Sequence, residues 1–104
     1  MPSYFDTKDP SESVPLTFDL SSNLASGETL TSTPTVTVTL VSGTDPSPSA
    51  ILTGVNSLDA TLTKAIVGVH AGVNGCAYDV KVVVSTSNAQ KVLALSGILP
   101  VVGD

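Results

Sequence analysis

His70 and Cys76 are the only imidazole and the only thiol in this chain of 104 residues, and the chain has no Arg. Nucleophilic catalysis needs a base within reach of a Ser or Cys, and no Gly-x-Ser-x-Gly elbow presents one here. Cys76 has no partner His near it in sequence, so it reads as a small inert residue at a strand edge. A single Cys forms no intrachain disulfide and no Cys-based zinc site. His70 stands alone among scattered Asp residues. Asp6, Asp9 and Glu12 fall three residues apart, whereas a calcium loop alternates its oxygens with a Gly at the sixth position. No Gly-rich loop precedes a helix, so no phosphate cradle is expected. The reading is a non-enzyme with no cofactor and no metal.

Composition narrows the partners. Charged residues are 12% of the chain, hydrophobic ones 41%, and Ser plus Thr number 27. Mean hydropathy is +0.36 and the pI is near 4.4. The net charge of −5 leaves no cationic face for nucleic acid or an anionic membrane. No apolar run is long enough for a transmembrane helix, and the Met1–Asp6 stretch lacks the basic and apolar regions of a secretory signal.

The elements that must hold any site read almost entirely as strands. Thr35–Leu40 alternates Val36, Val38 and Leu40 with Thr35, Thr37 and Thr39, the period of a half-buried strand built from β-branched residues. Leu16, Phe18 and Leu20 repeat the pattern, as do Ala65, Val67 and Val69. Tyr78, Val80, Val82 and Val84 form a further inward row, with Asp79, Lys81 and Val83 outward. The register of Val92 against Leu93 and Leu95 is ambiguous. Turn clusters at 26–27, 43–48, 54–57, 72–75 and 85–88 separate these runs, and Gly27 and Gly75 supply backbone freedom in two of them.

Seven antiparallel strands are expected, at about 14–20, 27–32, 34–42, 49–53, 60–70, 76–86 and 89–97. A helical turn within Asn56–Lys64 is the alternative for that stretch. The fold class is all-β, an immunoglobulin-like β-sandwich. Tyr78, after the Gly75 turn, sits where such domains place a tyrosine corner, its hydroxyl satisfying a backbone carbonyl across the turn. The domain spans 14–97, between an extended polar arm at 1–13 and a tail at 98–104. Pro100 should end strand pairing, so Ile98, Leu99, Val101 and Val102 either fold back or bury against another chain. The Thr face of 35–39 reads as solvent-facing or glycan-binding, though two Tyr, two Phe and no Trp make sugar-stacking platforms scarce.

Lys8-Asp9-Pro10-Ser11-Glu12, the run Leu16–Ser21 and the turn Leu24–Leu30 through Gly27-Glu28 together resemble a family of small tailed-phage virion proteins. Gly75, Tyr78 and Val80 match its later Gly-x-x-Tyr-x-Val element, and Thr86–Gln90 occupies its final hairpin. The resemblance spans residues 5 to about 97. It implies a structural component of the virion, most often a fibre–tail adaptor, with capsid decoration or a head–tail junction as alternatives. The implied partners are other virion proteins (tail, fibre, portal or capsid subunits), met in multiple symmetric copies. The arm, through Tyr4, Phe5, Asp6, Lys8, Asp9, Pro10 and Glu12, and the tail, through Ile98, Leu99, Val101 and Val102, are then the expected docking segments.

Overall fold

The computed structural model describes residues 3–103, with side chains from Phe5 onward; Met1, Pro2, Asp104 and the Tyr4 side chain lie outside the described residues. The strands are β1 Ser3–Tyr4, β2 Val14–Asp19, β3 Thr35–Ser42, β4 Leu52–Leu58, β5 Lys64–Val69, β6 Cys76–Ser85 and β7 Val92–Val101. They form two sheets, one in the order β1-β7-β6-β3 and one in the order β2-β5-β4. Six strands pair antiparallel; the two-residue β1 runs parallel to β7.

The alternation seen in the sequence sets the faces. Leu16 and Phe18, Ala65, Val67 and Val69, and Tyr78, Val80, Val82 and Val84 are all buried in one core. Leu93, Leu95, Leu99 and Val101 belong to the inward row of β7, opposite Val84, Val82, Tyr78 and Cys76, while Val92 points out at 61% exposure. Val36, Val38 and Leu40 of β3 pack on the same core but are only half-buried.

Three expectations are corrected. Residues 27–32 form no strand among the described residues, only an isolated bridge between Leu30 and Thr86. Leu30 is nonetheless fully buried, its N–H donating to Leu62 O at 2.8 Å, so its apolar character serves a crossing segment. The stretch 49–53 is split: Pro48–Ile51 is a 3-10 turn and β4 runs onward to Leu58. After it, residues 59–63 are a turn tied by Asp59, whose Oδ1 accepts from the N–H groups of Thr63 and Lys64 at 3.0 and 2.9 Å; no helix forms there.

The third correction concerns Pro100, which does not end pairing. β7 continues through it to Val101, opposite Ala77 and Cys76. The carbonyls of Ile98 and Pro100 accept from the N–H groups of Phe5 and Lys8 at 2.8 and 3.0 Å, so the missing N–H of Pro100 falls on the arm side of β7, where a ladder to β6 does not need it.

Candidate functional site

The segments expected to dock elsewhere are largely built into this domain. Phe5 enters the core edge and meets Phe18 edge-to-face, with ring centroids 5.2 Å apart. Gly97 of β7 makes the room: a Cβ there would lie 2.6 Å from Phe5 Cε2. Ile98, Leu99 and Val101 are 8%, 1% and 0% exposed and are strand residues. These three and Phe5 are therefore corrected from free docking groups to parts of the domain's own packing.

Lys8 is corrected likewise. It is 2% exposed, and its ammonium donates to the carbonyls of Ala71 at 2.5 Å and Asp9 at 2.9 Å. Its backbone bridges the end of β7, receiving the Val102 N–H at 2.9 Å. Burial pushes its pKa below the ordinary Lys value, against the opposing pull of Glu12 and Asp9. Two carbonyls and the nearby carboxylates offset only part of the desolvation of this buried cation, so Lys8 locks the arm to the β5–β6 turn at some expense in stability.

What remains on the surface is the turn after Lys8. Asp9 Oδ1 accepts from the Ser11 N–H at 2.8 Å and its hydroxyl at 2.6 Å, and Glu12 Oε1 accepts from the Asp9 N–H at 2.8 Å. The carboxylates thus shape a turn around Pro10, as in a capping box. Asp6, Thr7, Glu12 and Val102 are exposed. Between arm and β2 runs a cleft of about 310 Å³ lined by Phe5, Asp6, Lys8, Glu12, Val14 and Leu16.

Tyr78 anchors the same end from inside. Its hydroxyl donates to Asp45 Oδ2 at 2.7 Å and accepts from the Val73 N–H at 2.9 Å. The partners are a carboxylate and an N–H rather than the carbonyl expected, because the 43–48 loop brings Asp45 over the 72–75 turn. Burial, with the Asp45 charge adding to it, pushes the phenol up to about 12. Cys76 is buried beside it, its Sγ 3.6 Å from Thr44 O, and a Cβ at Gly43 would lie 2.5 Å from that sulfur. Gly75 and Gly27 both hold positive φ, at 88° and 80°.

At the opposite end, Lys91 joins Glu28 at 2.6 Å and Asn23 O at 2.6 Å. That ion pair, with the Ala25 N–H, holds the Glu28 carboxyl below its usual range. His70 is half-buried, and its backbone N–H donates to Ile51 O at 2.8 Å. Among the described residues no group of three or more His, Cys, Asp or Glu is placed to hold a metal ion.

Sequence reasoning missed the enclosure of Phe5 and Lys8. The one local signal was Gly97 in the middle of an apolar strand, where a missing side chain marks a close approach.

The model of one protein family, Gp77, described as podophage GP4 fiber-tail adaptor protein gp77, matches residues 8–97. No curated protein and no solved structure matches the chain.

Proposed function

We propose a mode of action for this chain, which belongs to the Gp77 family of podophage fiber-tail adaptor proteins. It is a non-enzymatic structural protein of the phage tail and fibre, carried in the virion and bound there to other virion proteins. The family match carries this reading: it covers residues 8–97, most of the chain.

An adaptor must present fixed surfaces to two neighbours, and such surfaces come from rigid scaffolds rather than converging titratable groups. We read the fold as immunoglobulin-like. The order β2-β5-β4 against β3-β6-β7 follows the B-E-D and C-F-G sheets of that class. The arm-side surface, with Asp6, Asp9, Pro10, Glu12 and Val102 around the cleft beside β2, is the docking face we assign to one virion neighbour. Its acidic character suits a cationic patch on that neighbour, and repeated symmetric copies would multiply a modest contact.

Phage particles assembled without this chain should carry tails and lack fibres; particles with a full fibre complement would overturn the adaptor role. Asp6→Lys, at an exposed side chain outside the Asp9–Glu12 turn, should leave the fold intact and reduce incorporation into particles, read by quantitative mass spectrometry of purified virions, which also gives copies per particle. Unchanged incorporation would move the docking face elsewhere on the sandwich.

A further inference from the structure

Every edge of this sandwich but one carries a device that discourages further strand pairing. β7 is covered on its arm side by β1 and Lys8. β2 contains Pro15 and ends in Asp19. β4 is broken by a register shift between Leu52 and Asn56, with Gly54 at φ +87° and Val55 thrown outward at 70% exposure. Prolines, charges, bulges and covering segments are the usual means of blunting an edge.

β3 carries no proline and no charged residue, and the 3-10 turn Pro48–Ile51 that packs against it does not pair with it as a strand. It pairs with β6 in unbroken register from Thr35 to Leu40, its one irregularity falling between Leu40 and Ser42 at the end. Among the described residues no strand pairs with its other side. In an extended strand every second residue turns its N–H and C=O away from the paired neighbour, so β3 presents a row of free backbone groups. Its inward side chains, Val36, Val38 and Leu40, are half-buried, whereas Val80 and Val82 beside them on β6 are 0% exposed.

We propose that the free edge of β3 takes a second copy of this chain, by antiparallel β3–β3 pairing about a two-fold axis near Val38. Charge selects this occupant. The chain carries −5 overall, yet no Asp, Glu or Lys occurs from Thr29 to Thr44. On β3, two copies of an acidic protein meet without carboxylate facing carboxylate. The strand is also self-complementary. Pairing centred on Val38 sets Val36 opposite Leu40 of the other copy and Thr37 opposite Thr39, so apolar rows meet on one face and hydroxyl rows on the other. The two four-stranded sheets then run on as one, and the half-buried row gains its missing cover. Such an interface is isologous and closes at two copies. It does not rest on the adaptor role.

The test is sedimentation equilibrium of the purified chain over a concentration series. The wild type should shift from monomer to dimer. Thr37→Glu should hold it monomeric, because the new carboxylates crowd the seam. Its fold is expected to survive, since Thr37 lies opposite Lys81 within the chain, and far-UV circular dichroism checks that. Thr39→Lys, opposite Asp79, is the second variant and should also be monomeric. Mixing the two variants should restore the dimer, since Glu at 37 then faces Lys at 39. A wild type that stays monomeric at every concentration overturns the proposal; that is the outcome expected if the edge instead receives a strand from a different virion protein. A dimer that persists in both folded variants overturns it as well.

Discussion

Along one side of the sandwich, β7 is closed by β1, by the Phe5 ring over Gly97 and by the Lys8 ammonium on Ala71 O. Along the other, β3 ends its sheet with alternating Val and Thr and, among the described residues, no strand paired beyond it. The closed side depends on partners far apart in the chain that must fit by shape. The open side depends on local β-propensity and its pairing with β6. Substitutions should therefore cost much on the first and little on the second, and that contrast is directly measurable.

Phe5→Ala should have the largest effect, a loss of about 2–4 kcal/mol in urea unfolding, somewhat below full truncation of a buried Phe because the ring is half-buried. Thr39→Ser on the open edge should stay within about 0.5 kcal/mol. Equal costs at the two positions would erase the contrast. Tyr78→Phe should cost about 1–3 kcal/mol, since it strands the Val73 N–H and one oxygen of Asp45.

The same phenol gives a pH signature. Its folded pKa of about 12 stands above the ordinary value of 10.0, so the folded state favours the neutral form. That contribution is complete below pH 10 and is lost as pH rises toward 12. Lys8 has the opposite sign: its lowered pKa means unfolding takes up a proton, so stability rises with pH as Lys8 deprotonates in the fold. Tyr78→Phe should remove the alkaline loss, and Lys8→Met the opposing gain, in parallel unfolding curves from pH 8 to 12.

Gly97→Ala should cost about 1–2 kcal/mol by overpacking Phe5. Combined with Phe5→Ala, the same change should cost almost nothing, because the ring that it strikes is gone. A fully additive double variant would show that the two do not meet. A separate, acid-side effect is expected at Asp59 in the β4–β5 turn. Hydrogen bonds from Thr61 and from backbone N–H groups hold its carboxyl at about 2. That stabilisation is present above pH 3.8 and fades as pH falls through 2. Asp59→Asn should flatten this acid-side slope in unfolding midpoints between pH 4 and 2.

The strands whose periodicity was cleanest are the ones found, β3 and β6 above all, because two-residue alternation is a local property of a half-buried strand. Thr29–Ser32 misleads for the same reason. Its residues favour strands, yet the Leu30 N–H goes to Leu62 O and only the Leu30–Thr86 bridge remains. Ile98–Val102 reads as a tail because Pro100 lacks an N–H, and nothing local tells which side of the strand that absence will face. The arm reads as free because Phe5 and Lys8 find their partners at Gly97 and Ala71, over 60 residues away in the chain. Of the expected docking residues with described side chains, Asp6, Glu12 and Val102 are left exposed, and Asp9 and Pro10 are partly buried at the turn between them.

By itself the sequence determined an all-β chain, its inward rows, its acidic hydroxyl-rich surface and the scarcity of catalytic groups, since alternation, composition and turn chemistry act over a few residues. Only the tertiary structure decided which edges close, because closure needs a ring, an ammonium or a carbonyl brought from elsewhere in the chain. The arm became part of the core and β3 was left open through that long-range geometry, which no local pattern encodes.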